Sequence, residues 1–107
     1  MAESRKILGQ TALAATTSTA VYTVPDGTSA EVTVNFCNRG AATSFRLSIG
    51  VDGAALNDKQ YLYYDRALAA NDSYGVDLGV RLSQRDVVRA YAGSANVSVS
   101  VLGSEFS

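Results

Sequence analysis

The sequence has no histidine, no tryptophan, one cysteine and one proline. Without histidine there are no Ser–His or Cys–His nucleophilic pairs and no His-ligated zinc. The commonest general base near neutral pH is also missing. A lone cysteine cannot close an internal disulfide, so nothing ties the fold to an oxidising compartment. Charged residues make up 18% of the chain, below the usual quarter. They are scattered and leave a net charge of −1. Phosphate binding needs clustered cations, so no nucleic-acid partner is expected. No apolar run approaches the roughly eighteen residues of a membrane span, so no membrane contact is expected. The stretch RKILGQTALAATTSTA imitates a signal peptide, but Gly9, Gln10 and Thr11 interrupt its apolar centre. No leader is expected there.

What remains is a chain of 107 residues, 47% hydrophobic, with a mean hydropathy of +0.04. One domain is the expectation, large enough for a core without metals or disulfides. Much of the apolar content is Ala and Val, and Ser and Thr lead the polar remainder. That mixture suits strands with one packed face and does not suit disorder. Residues 1–5 read as a loose polar arm and residues 6–107 as a single domain.

Period-two alternation, the mark of a half-buried strand, recurs along the chain. In SAEVTVNFCN, Ala30, Val32, Val34 and Phe36 share one face, and Glu31, Thr33, Asn35 and Cys37 the other. In SFRLSIGV, Phe45, Leu47, Ile49 and Val51 are expected inward and Arg46, Ser48 and Gly50 outward. SYGVDLGVRL aligns Tyr74, Val76, Leu78 and Val80. VSVSVLG aligns Val97, Val99 and Val101 against Ser98 and Ser100. AVYTV and VVRAYA read as further strands, separated by turns such as PDG, NRGAAT, SQRD and GSAN. YLYYDRALAAND is ambiguous. Asn57 with Gln60 imitates a helix start, but Tyr61, Tyr63 and Tyr64 favour a strand, and a strand is expected. Seven to eight short strands predict an all-β antiparallel sandwich, jelly-roll-like.

Each candidate site has a plain alternative. Cys37 lies two residues from Arg39, which could lower a thiol pKa, but a passive strand-end thiol is expected. Asp52, Asn57, Asp58, Asp65 and Asp72 are oxygen donors in or near loops. They lack the spacing of a calcium loop and read as turn formers. No cofactor or metal is expected. Asn96 in NVS fits a glycosylation acceptor and reads as a turn residue. YLYYD is the most informative stretch. As a strand it sends Tyr61 and Tyr63 to one side and Leu62 and Tyr64 to the other. A sandwich covers only one side. The second needs a loop, a neighbouring subunit or a carbohydrate stacked on the rings. Tyr61, Tyr63 and Tyr64 with Arg66 are the candidate interface residues.

Tyr22–Thr28, Val32–Arg39, Tyr61–Asp65, Ala69–Asp72 and Val88–Ala92 together resemble small proteins and domains of tailed-bacteriophage virions. The likeness runs from about Ile7 to Glu105. Ala90 departs from it where the pattern often has Val, and Ser44 before Phe45 is a second departure. The resemblance implies a non-enzymatic β-sandwich mounted on a virion that is assembled in the bacterial cytoplasm. It would be a capsid decoration (cement) subunit, or an accessory subunit at the neck, tail or fibre base. Its partners would be copies of itself, as a homotrimer, and other virion proteins such as the major capsid, neck or tail proteins. The alternative is a module that binds host-surface glycan. The resemblance carries no catalytic residue.

Overall fold

The computed structural model describes residues 2–107 and contains eight strands: β1 (Glu3–Ala12), β2 (Thr19–Thr23), β3 (Ser29–Asn38), β4 (Thr43–Gly50), β5 (Tyr61–Leu68), β6 (Ser73–Leu82), β7 (Val87–Ala92) and β8 (Val97–Phe106). They form two four-stranded antiparallel sheets, ordered β1-β8-β3-β6 and β2-β7-β4-β5. Apart from β4 and β5, successive strands lie in opposite sheets. The chain is therefore an all-β sandwich, and its strand order is that of a jelly roll.

Alternation builds the core. Ala30, Val32, Val34 and Phe36 of β3 are buried, as are Val97, Val99 and Val101 of β8. Phe45 and Leu47 of β4 and Val88, Ala90 and Ala92 of β7 meet them from the second sheet. At the centre Phe36 stacks on Phe45, with ring centroids 4.2 Å apart.

Several expectations fail where the pleat is interrupted. Val51 is 70% exposed, because β4 ends at Gly50 and the chain enters a short 3₁₀ turn at Val51–Gly53. Val80 is 61% exposed. The β3–β6 register slips between Asp77 and Arg81, and Gly79 supplies the positive φ of +70° that this bulge requires. Residues 3–5, expected in a loose arm, belong to β1. Glu3, Ser4 and Arg5 already pair with Phe106, Glu105 and Ser104, and Ala2 and Ser107 exchange two backbone hydrogen bonds. Met1 lies outside the described residues. The helix-like signal at Asn57 is real but brief. Its side chain accepts the Lys59 N–H and caps one 3₁₀ turn, Asp58–Gln60, before β5 begins.

Buried polar groups tie the loops to this frame. The Asp86 carboxylate accepts the backbone N–H groups of Asp52 and Ser83, each at 2.9 Å. Between the sheets the Tyr22 hydroxyl donates to Glu105 at 2.6 Å. Burial, then this bond to a carboxylate, pushes the Tyr22 phenol well above its ordinary range.

Candidate interaction surface

β5 carries two bulges within a few residues. Tyr63 pairs with Leu47 and Tyr61 with Ser48, so Leu62 is an extra residue. Arg66 pairs with Phe45, so Tyr64 and Asp65 together oppose Arg46, with Asp65 at a φ of +55°. Each bulge resets the alternation. Tyr61 and Tyr64 consequently share the outer face, edge to face at 4.9 Å. Tyr63 turns inward, with its ring 5.8 Å from Phe45. The expected division, Tyr61 with Tyr63 and Leu62 with Tyr64, is corrected accordingly.

The outer face of the β2-β7-β4-β5 sheet then forms a layered platform. The Arg46 guanidinium lies 4.1 Å from the ring of Tyr64 and 4.1 Å from that of Tyr91. It also donates to both oxygens of Asp65, at 2.7 and 3.3 Å. That forked bond holds the Asp65 carboxyl below its usual range and raises Arg46 above its own. Stacking and forked pairing fix the cation in one orientation. Beside it Asp58, Tyr61 and Tyr64 line a shallow depression of about 300 Å³. Tyr64 is 59% exposed.

The far end of this face is covered by the β4–β5 loop. Arg89 donates to the Ala54 carbonyl at 3.0 Å, and Gln60 to the Ala55 carbonyl at 2.8 Å. Ser48 sits between Tyr61 and Arg89 in register. It faces outward yet is buried.

The four expected interface residues therefore separate into two pairs. Tyr61 and Tyr64 belong to the platform. Tyr63 and Arg66 lie at the rim between β5 and β6, where the Arg66 guanidinium stands 4.4 Å from the Tyr74 ring and Tyr63 meets Tyr74 at 5.8 Å. Tyr63 packs against the core. Arg46 and Tyr91 were not singled out in the sequence. Their only signal is that each is the polar or aromatic outward residue of a buried strand.

The remaining candidates are dispersed. Cys37 is exposed, opposite Ser73 and Ser98. Arg39 is engaged by Ser98 Oγ at 3.0 Å and the Ala95 carbonyl at 3.3 Å. Asp52 and Asp26 both pair with Arg85, and Asp72 caps the Ser73 N–H at 2.8 Å. Among the described residues no three His, Cys, Asp or Glu side chains converge as metal ligands would. Asn96 lies in the β7–β8 turn, where its carbonyl accepts the Arg39 N–H.

The opposite sheet has an apolar surface of its own. Ile7 (57% exposed), Leu102 and Val80 stand on its outer face. Leu102 and Val80 border a depression of about 430 Å³, with Arg5, Glu31 and Arg81 around it. Its floor includes Gly103, where a Cβ would fall 2.0 Å from the Glu31 carbonyl oxygen. The sequence signal was adjacency: Ile7–Leu8 and Val101–Leu102 are apolar neighbours, and a pleated strand sends one of each pair outward.

No protein-family model, curated protein or solved structure matches the chain.

Proposed function

We propose that the chain is a non-enzymatic structural subunit of a tailed-bacteriophage virion. It would act as a capsid decoration (cement) protein or as an accessory subunit of the neck or tail, bracing the particle as a homotrimer in contact with other virion proteins. The observation that carries this reading is the Tyr64–Arg46–Tyr91 stack with Tyr61 beside it. Tyr and Arg dominate the energetics of protein interfaces. These are held in place before any partner arrives, so little side-chain entropy remains to be lost on contact. Jelly rolls include viral capsid domains, and the fold is compatible with the reading. The absence of histidine removes the commonest catalytic constellations.

The test is Tyr64→Ser, a change on the exposed outer face. A lost anchor of this type costs about 2 kcal/mol or more, so incorporation into particles should fall more than about tenfold. The urea midpoint of the isolated chain should fall only slightly, since the ring's contacts with Arg46 and Tyr61 lie on the exposed face. Unchanged incorporation, read by mass spectrometry of purified particles, counts against the platform as the mounting surface.

The depression lined by Asp58, Tyr61 and Tyr64 favours a second reading, a host-surface glycan-binding module. Aromatic faces take the apolar side of a sugar ring, and a carboxylate accepts its hydroxyls. Saturable binding on a glycan array that disappears in Tyr61→Ala would support this reading. A blank array with the unmodified chain would remove it.

A further inference from the structure

Four strands end the two sheets, and they are not equally protected. An edge strand exposes unpaired N–H and C=O groups, and natural sheets blunt such edges with short strands, bulges, proline and like-charged side chains that repel a second copy. β2 has five residues and a register slip between Ala20 and Tyr22. β5 carries the two bulges described above. β6 is regular from Ser73 to Asp77 and bulged beyond. β1 is set apart by a regular stretch that carries charges of both signs, Glu3 and Arg5. Its register with β8 runs unbroken from Glu3–Phe106 to Ile7–Leu102 and slips only beyond Ile7. No proline interrupts it.

The reciprocal bonds of Ala2 with Ser107, at 2.8 and 2.9 Å, fix which backbone groups are free. In an antiparallel ladder, residues alternate between facing the partner strand and facing away. Ala2, Ser4 and Lys6 turn their N–H and C=O groups towards β8. Glu3, Arg5 and Ile7 turn theirs to the open edge. The side chains there are also underused. Arg5 is 82% exposed at the side chain, and its ion pair is with Glu3 of the same strand, at 3.4 Å.

We propose that this edge pairs with the same edge of a second copy, antiparallel about a two-fold axis, with Ser4 facing the partner's Ser4. Charge selects that register. Outward-facing residues must pair with outward-facing residues, so a two-fold axis in the regular stretch passes through Ser4, Arg5 or Lys6. An axis at Arg5 sets Arg5 against itself, and one at Lys6 sets Lys6 against itself. Like charges directly opposite destabilise a strand pair, and opposite charges stabilise it. The axis at Ser4 places Glu3 opposite the partner's Arg5 on both sides of the axis, with about four new main-chain hydrogen bonds. The two sheets then become one, and the depressions beside Leu102 and Val80 of both copies open on a single surface. This contact uses neither Tyr61 nor Tyr64 and stands apart from the function proposed above.

The test is sedimentation equilibrium of the full chain, with hydrogen exchange alongside. The unmodified chain should show a two-fold association, monomer to dimer, or trimer to hexamer where the trimer of the proposed function has formed, and it should weaken as salt rises. Glu3→Arg and Arg5→Glu should each weaken it at least tenfold, because each sets like charges face to face. The exchanged pair E3R/R5E should return it to within about threefold of the original, since the opposition is restored with its sign reversed. In the unmodified chain, the amides of Glu3 and Arg5 should gain protection as concentration rises, while those of Ser4 and Lys6 stay as they were. A chain with no two-fold association at any concentration, whether monomer or trimer, single variants that associate as before, or protection elsewhere than Glu3 and Arg5 would each overturn the proposal. If the edge contact fails while Tyr64→Ser still loses particle incorporation, the platform stands without it.

Discussion

Phe45→Ala is expected to remove about 4 kcal/mol of stability, the range for emptying a buried aromatic position. Phe45 is fully buried and lies where the two sheets meet. It stacks on Phe36 at 4.2 Å, with Tyr63 and Tyr74 at 5.8 and 5.7 Å. Removing the ring therefore takes a partner from each of three other rings. The walls are sheet backbone held by ladders on both sides, and they have little freedom to close on the gap. Domains of this size are stable by about 5–15 kcal/mol, so the variant should unfold at a much lower urea concentration with a similar slope. Phe45→Leu keeps most of the volume and should cost markedly less, about 1.5 kcal/mol. A loss below about 1 kcal/mol for Phe45→Ala would mean that the packing between the sheets is looser than these distances imply.

Asn38→Ala is expected to cost about 3 kcal/mol, although the side chain is small and polar. Asn38 is 1% exposed. Its Nδ2 donates to the carbonyls of Ala41 at 2.9 Å, Ala69 at 3.0 Å and Leu68 at 3.4 Å. Its Oδ1 accepts the Gly40 N–H at 3.0 Å. One amide thus joins the β3–β4 turn to the β5–β6 turn. Truncation leaves the buried Leu68 carbonyl and the part-buried Ala41 and Ala69 carbonyls and Gly40 N–H without this partner, at about 1–3 kcal/mol for each that water cannot reach. Asn38→Asp has the same shape but turns an oxygen towards those carbonyls, so at neutral pH it should be at least as damaging. Urea unfolding of the two variants measures both effects. A loss under about 1 kcal/mol for Asn38→Ala would show that water replaces the amide.

Asn38 also marks a limit of what could be read from the chain. In sequence it is one more polar residue in a turn beside Cys37 and Arg39. Its importance comes from Leu68 and Ala69, about thirty residues away, which no local pattern links to it. The alternating segments were legible because β3 and β8 keep an unbroken pleat with inner and outer residues of different chemistry. The tyrosine strand was legible as a strand but not in its orientation. A bulge is a property of two strands in register, and nothing in YLYYD alone says that Leu62 and Asp65 will be the extra residues. The same reason hid the outward turn of Val80. The tyrosine platform was therefore half visible. Tyr61 and Tyr64 were named, while Arg46 and Tyr91 emerged only once β4 and β7 were placed beside β5.

The pairing of β1 with β8 has a kinetic consequence. The first strand of the chain finds its ladder partner only in the last, so a large loop must close before either is satisfied. Topologies dominated by such distant pairings fold on the order of milliseconds to seconds. During synthesis on the ribosome the segment from Glu3 to Ala12 waits, unpaired, until Val97–Phe106 has emerged. Crowded nascent chains would then be most exposed to mispairing at that segment, and a chaperone that shields it would raise the yield of folded protein more than one that shields the central strands.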